Sequence, residues 1–220
     1  MGATVSISSE LKELWPMTVL GILEYTASVE RSDISLLSAF DGMVTELSAA
    51  YTLESIGENP HIAATRSAYR AFGKSSHEYR NAAEAMLRRV AKGNGLYHIN
   101  NVVEINNLIS ISSGYSIGSY DAAQLVGPIE LRIAPEGVHY DGIGKSSVNI
   151  GRLPVLYDTA GAFGNPSSDS QRAMIKPGKR NVMSVIYSFD GTEELKHWME
   201  RYAEELHRHL RITSIESYIV

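Results

Sequence analysis

Between Gly95 and Asp121 the chain sets amides and glycines into an otherwise apolar stretch. It reads Gly95-Leu96-Tyr97-His98-Ile99-Asn100-Asn101-Val102-Val103-Glu104-Ile105-Asn106-Asn107-Leu108 and continues through Gly114-Tyr115 to Tyr120-Asp121. A buried amide without a hydrogen-bond partner costs on the order of 1–3 kcal/mol, so a fold that encloses this run must supply partners for it. Several such amides together fit a recognition pocket better than a plain core. No catalytic triad, metal signature or nucleotide loop elsewhere competes with this stretch.

A chain of 220 residues with 44% hydrophobic and 20% charged residues is ordinary for a globular protein. It buries a sizeable core, and one compact α+β domain over residues 1–220 is expected. No apolar run reaches the roughly 18 residues of a membrane helix, and no secretory signal is read at the N-terminus. With no cysteine there is neither a disulfide framework nor a thiolate site, which suits the cytoplasm. No membrane partner, metal or cofactor is expected.

Net charge is −5, which argues against a surface that coats nucleic acid broadly. The charges are unevenly spread. Residues 1–60 carry nine acids against Lys12 and Arg31, whereas residues 61–92 carry Arg66, Arg70, Lys74, Arg80, Arg88, Arg89 and Lys92 against Glu78 and Glu84. Such a segment is either a solvated helix face or a local basic patch that meets a phosphate backbone.

Periodicity and punctuation give the elements. Met17 to Tyr25 reads as a buried strand after Pro16. Ser32 or Asp33 caps a helix carrying Ile34, Leu37, Phe40, Val44 and Leu47 at helical spacing. Gly57 to Pro60 breaks the pattern, and a short helix follows over about Thr65 to Phe72. Ser75 or Ser76 is expected to cap a helix from about His77 to Ala91, ended by Gly93 and Gly95. Val102 to Ser112 fits helix or strand, and its asparagines and serines with Gly114 as a stop favour helix. After Gly127 come short β-favouring runs, Pro128 to Ile133, Val138 to Tyr140, Val148 to Ile150 and Pro154 to Tyr157. Val182 to Phe189 is a further strand, Thr192 to Leu210 an amphipathic helix, and Thr213 to Val220 a terminal strand.

Several motifs have plain readings. Gly142-Ile143-Gly144-Lys145-Ser146 lacks the earlier glycine of a phosphate loop, since position 139 is His139, and reads as a β-turn. His207 and His209 point away from each other on a helix and share no ion. His98 reads as a packed or solvent-tipped residue, and no serine is read as a nucleophile. Gly161-Ala162-Phe163-Gly164-Asn165-Pro166-Ser167-Ser168-Asp169-Ser170 follows a strand and crowds short hydrogen-bonding side chains into one loop, with Arg172 just beyond. It is either a tight turn or the polar lining of a ligand pocket.

Taken together, several segments resemble a known module. They are Thr65-Arg66, Tyr69-Arg70, Phe72-Gly73-Lys74, Tyr79-Arg80, the helix through Glu84, Arg88 and Arg89, Asn101 to Asn107, Gly114 to Asp121, and Asn165 to Ser170. The chain looks like a free-standing B3/B4 domain, the module embedded in the β subunit of bacterial phenylalanyl-tRNA synthetase, over residues 61–190. The resemblance implies an α+β fold, a three-layer β/β/α sandwich, with 1–60 and 191–220 packed onto its core. In the synthetase the module houses an editing site that hydrolyses tyrosine wrongly attached to the phenylalanine tRNA.

Carried over by resemblance, a Thr-Asn pair falls on Asn106 and Asn107, and an aromatic-Asp pair on Tyr120 and Asp121. The editing histidine falls on Gly118, and the 161–169 loop has no glutamate where the synthetase has one. Tyrosine specificity is therefore not implied. The resemblance makes Asn106, Asn107 and Asp169 candidate catalytic groups. It makes Tyr115, Gly118, Tyr120, Asp121, Gly161, Phe163, Gly164, Ser167, Ser168 and Arg172 candidate substrate contacts. An aminoacyl ester is already activated, so its hydrolysis needs a positioned water and oxyanion donors more than a strong nucleophile. The leading expectation is a stand-alone deacylase of mischarged aminoacyl-tRNA, with Arg66, Arg70, Arg80, Arg88 and Arg89 on the tRNA backbone. Its rivals are a non-catalytic RNA- or tRNA-binding module and a free amino-acid binder. A complete tRNA ligase is excluded, because no ATP-binding motif is recognisable.

Overall fold

The computed structural model describes residues 4–75 and 78–220. Two four-stranded sheets face each other, and helices cover the outer face of one of them. The first sheet orders β1 (Val5–Ile7), β4 (Ile129–Ile133), β7 (Pro154–Asp158) and β8 (Gly161–Gly164). The second orders β10 (Ile215–Ile219), β2 (Val19–Val29), β9 (Gly178–Ser188) and β3 (Ser116–Asp121). A small hairpin, β5 (His139–Gly142) with β6 (Lys145–Asn149), stands apart. The helices are α1 (Ser9–Leu14), α2 (Ile34–Ala50), α3 (Pro60–Ala71), α4 (Ala82–Ala91), α5 (Asn101–Ser113) and α6 (Glu193–His209).

Strand alternation builds the layers. Along β2, Leu20 and Ile22 point into the space between the sheets, while Leu23, Tyr25, Ala27 and Val29 point at α2, α5 and α6. β9 repeats the pattern: Met183, Val185 and Tyr187 face the first sheet, and Val182 and Ile186 face the helices. The result is the β/β/α sandwich that the resemblance implies. The central strands are apolar on both faces because each face is covered, one by a sheet and the other by helices.

The caps follow side-chain chemistry. Asp33 accepts from the Leu36 N–H at the start of α2, Asn81 from Glu84 at the start of α4, and Asn100 from Val103 at the start of α5. Gly114 closes α5 in the left-handed region at φ 90°, where a Cβ would also collide with the Asn59 side chain. The helix expected from His77 begins only at Ala82, with Asn81 as its cap. Ser76 and His77, one of them a candidate cap, lie outside the described residues. The helix expected near Thr65 starts a turn earlier, at Pro60, behind the cap Asn59. Strands β1, β3 and β8 and helix α1 have no counterpart in the sequence reading. β3 is masked by its glycine and serines, and β8 by the glycines that made it read as loop. Gly142 to Ser146 forms the β5–β6 hairpin turn.

Candidate functional site

β3 is an edge strand of the second sheet, and its two faces carry separate polar clusters. On the helix side, the Ser119 hydroxyl donates to Asn106 Oδ1 at 3.0 Å and the Tyr202 hydroxyl to the same oxygen at 3.2 Å. Asn106 Nδ2 donates to the Ile117 carbonyl at 3.1 Å, and Ser184 joins the network through Ser119, Tyr202 and Tyr25. The amide of Asn106 is thus committed to holding α5 and α6 on the sheet. Asn107 is half-buried one residue on, about 100° further round the helix.

On the opposite face of β3 lies the second cluster. The Tyr120 hydroxyl donates to Asp169 Oδ1 at 2.7 Å and lies 2.8 Å from the Tyr187 hydroxyl. The Asn165 N–H donates to the same Asp169 oxygen at 3.2 Å. Among the described residues Asp169 Oδ2 makes no bond. Asn165 organises the loop: its Oδ1 accepts from the Ser167 and Ser168 N–H groups, and its Nδ2 donates to the Tyr140 hydroxyl at 2.6 Å and to the Ser168 carbonyl at 3.1 Å. The Tyr140 hydroxyl in turn donates to that carbonyl. The Tyr69 and Ser167 hydroxyls are paired at 2.8 Å. Phe163 packs edge-on against Tyr120, their rings 4.9 Å apart.

Burial sets the protonation states. Desolvation pushes the Asp169 carboxyl up from 3.8 to about 7, against the opposing hydrogen bonds from Tyr120 and the Asn165 N–H. Burial likewise raises the phenols of Tyr69, Tyr120, Tyr140 and Tyr187, which stay neutral donors at physiological pH. A carboxyl titrating near neutrality among neutral donors can exchange a proton with a bound water, and the surrounding hydroxyls can meet negative charge.

The structure therefore gathers Gly118, Tyr120, Phe163, Gly164, Ser167, Ser168 and Asp169, and leaves the other expected residues elsewhere. Asn106 bonds Ser119 and Asp169 bonds Tyr120, and consecutive strand residues point to opposite faces. The expectation that Asn106 and Asn107 share one pocket with Asp169 is corrected on that ground. Tyr115, at the far end of β3, donates to Asp190 at 3.0 Å and stacks on His61 at 3.8 Å. Asp121 accepts from the Ala123 N–H and lies 3.7 Å from the Arg180 guanidinium. Arg172 makes a bidentate pair with the buried Asp158 and donates to the carbonyls of Gln124 and Gly161, so it pins the β7–β8 turn. A cleft of about 740 Å³ opens where Thr4, Glu24, Thr26, Asn181 and Glu216 meet, and none of the expected site residues lines it.

The arginines divide in the same way. Arg66 grips the buried Glu84 with Nε and Nη2 at 2.9 and 2.7 Å, and Arg80 approaches that carboxylate at 3.5 Å. Arg88 donates to the Leu53 carbonyl, Arg89 to the Gly95 carbonyl, and the exposed Arg70 to Ser67. Arg66 is thus a structural counter-ion first. Arg66→Ala should cost about 3 kcal/mol in urea unfolding, because it strips a bidentate partner from a buried carboxylate. Adding Glu84→Gln should recover most of that loss.

Sequence reasoning quoted Tyr69 and Asn165 for the resemblance but named neither of them, nor Tyr140 and Tyr187, as a site residue. Alternation along the strand read at Val182 to Phe189 was the available signal for Tyr187, because Met183, Val185 and Tyr187 share a face. Gly114-Tyr115-Ser116-Ile117-Gly118 fits the Gly-x-Ser-x-Gly pattern, which corrects the reading that the sequence holds no such pattern. Its context is helix then strand, the reverse of a nucleophile elbow, and the buried Ser116 Oγ lies at the start of α4, 3.5 Å from the Ala83 N–H.

No curated protein matches the chain. One solved structure, an N-terminal fragment of the phenylalanyl-tRNA synthetase β-subunit from Pyrococcus horikoshii, is similar at 16% identity with a TM-score of 0.46. The similarity covers 98% of this chain and 50% of that one, so the chain spans about half the length of the fragment. The family model for the B3/4 domain matches residues 64–209, well over half of the sequence, and the chain therefore belongs to the B3/4 domain family.

Proposed function

We propose that this B3/4 domain protein hydrolyses mischarged aminoacyl-tRNA in trans, with Asp169 as its general base. The reading rests on one observation above all: a carboxyl held near pH 7 among tyrosyl hydroxyls, at the 165–169 loop. Water attacks the ester carbonyl while Asp169 takes a proton from it. Neutral hydroxyl and N–H donors stabilise the oxyanion, and the released ribose oxygen is protonated as the ester bond breaks. The resemblance puts the family histidine at Gly118. Here the Tyr120 hydroxyl occupies the space beside that glycine, 2.1 Å from where a Cβ would stand. In this chain the polar group offered at that position is therefore a phenol.

A panel of mischarged tRNAs tests the reading. Wild-type protein should accelerate hydrolysis of at least one member, with a rate that rises through about pH 7 as Asp169 loses its proton. Asp169→Asn should lower that rate about a hundredfold or more, within the usual range for a lost general base. Absence of acceleration on every member would exclude the enzyme. A second reading, a non-catalytic tRNA-binding module, is favoured by Asn106, whose amide is used up internally. It calls for salt-sensitive tRNA binding without hydrolysis.

A further inference from the structure

At the far end of α4 an aromatic ring stands in solvent on a fixed cationic support. Tyr97 is 69% exposed, and the Arg89 guanidinium lies 4.4 Å from its ring centroid. That guanidinium is itself held by two carbonyls, Nε to Gly95 at 2.7 Å and Nη2 to Asn94 at 3.3 Å. One ring face is backed by a planar cation that two carbonyls orient, and the exposure leaves the rest of the ring to solvent. Ile99, two residues on, is 61% exposed, and its N–H donates to Glu104. Lys92 is exposed one turn beyond Arg88 and Arg89, and the local acid Asp41 lies 3.6 Å from His98.

We infer that Tyr97, backed by Arg89, is a stacking platform for an unpaired nucleobase of RNA. This rests on the tRNA reading above and names the part of the tRNA that the protein grips. A preset aromatic ring loses little rotamer freedom on binding, and every base offers a π face, so stacking there is tolerant of sequence. The adjoining Arg89 and Lys92 supply charge for the phosphates. Placement is consistent with one continuous strand. The Ala82 N–H donates to the Pro166 carbonyl at 2.8 Å, which sets the first turn of α4 against the Asp169 loop. The ten residues of α4 then rise about 15 Å, a span covered by about four stacked nucleotides. That is the scale of the unpaired 3′ end of a tRNA, whose last ribose carries the ester.

Fluorescence anisotropy with a labelled single-stranded oligoribonucleotide and with whole tRNA tests the platform. Tyr97→Ala should weaken binding of both about tenfold, with the slope of log Kd against log salt unchanged. Tyr97→Trp should restore binding, which separates stacking from a general surface effect. Arg89→Ala should weaken binding and reduce the salt slope by about one. Wild-type affinity in Tyr97→Ala, or no RNA binding by the wild-type protein, overturns the inference. Hydrolysis assays separate the two claims. Ester hydrolysis with unchanged KM in Tyr97→Ala removes the platform and leaves the deacylase, whereas stacking-dependent binding without hydrolysis removes the deacylase and leaves the platform.

Discussion

Gly118→Ala should destabilise the protein by about 3 kcal/mol or more, although it adds a single methyl group to a strand. A Cβ at this position would lie 2.1 Å from the Tyr120 hydroxyl oxygen and 2.6 and 3.1 Å from two of its ring carbons. Tyr120 has no room to yield. Its hydroxyl is bonded to Asp169 and Tyr187, Phe163 meets its ring edge-on, and a Cβ at Gly164 would strike the same hydroxyl at 2.1 Å. Two glycines on different sheets thus make the slot that one phenol fills. Gly164→Ala should carry a similar cost. In a Tyr120→Ala background the added cost of Gly118→Ala should nearly vanish, giving a coupling of about 3 kcal/mol in a double-mutant cycle read by urea unfolding. Additive costs would mean that the phenol does not define the slot. The same geometry ties the glycine at position 118 to Tyr120. A side chain can return at position 118 only when residue 120 is cut back.

Asp169→Asn should stabilise the protein in alkaline buffer while it slows the proposed hydrolysis. The folded-state value of about 7 lies above the ordinary 3.8, so between those two pH values the native state holds a proton that the unfolded chain has released. Stability therefore falls as pH rises from about 4 to about 7 and levels off above. With about 1.4 kcal/mol for each unit, the fall amounts to at most about 4 kcal/mol. An asparagine keeps an acceptor oxygen for Tyr120 and for the Asn165 N–H and carries no charge to desolvate. Urea midpoints measured from pH 4 to 9 should show a decline for wild type and a flatter profile for Asp169→Asn. A gain in stability with a loss of rate in the same variant separates a working carboxylate from a structural one. Equal pH profiles for the two proteins would mean that Asp169 is charged throughout and solvated.

Much of the chain was legible from local rules. The α2 cap, narrowed to Ser32 or Asp33, the α5 stop at Gly114 and the strands that became β2 and β9 all depend on residues a few positions apart, and each was read from the sequence, whereas the two-faced alternation of those strands was not. The polar loop after β7 was also singled out, as was Asp169 within it. Which residues share a pocket was harder, because that depends on strand faces and on partners distant in sequence. The phenol–carboxylate pair joins residues 49 positions apart, and the Tyr69–Ser167 pair joins residues 98 apart. The basic segment hid an internal pairing for a related reason. Charge counting sees Arg66 and Glu84 as separate surface groups, whereas α3 and α4 bring the half-buried Arg66 onto the buried Glu84 carboxylate.

From the sequence alone came the α+β class, most of the helices and strands, the family and the loop that bears Asp169. These are set by periodicity, caps and motif residues, which act over one or two turns of chain. Tertiary structure decided that β3 carries different chemistry on its two faces, with Asn106 committed to the helix layer and Asp169 bonded to Tyr120 on the opposite face. The physical reason is that hydrogen-bond satisfaction and desolvation are properties of a packed neighbourhood. An amide or a carboxyl becomes structural or reactive only when the fold has chosen which groups surround it.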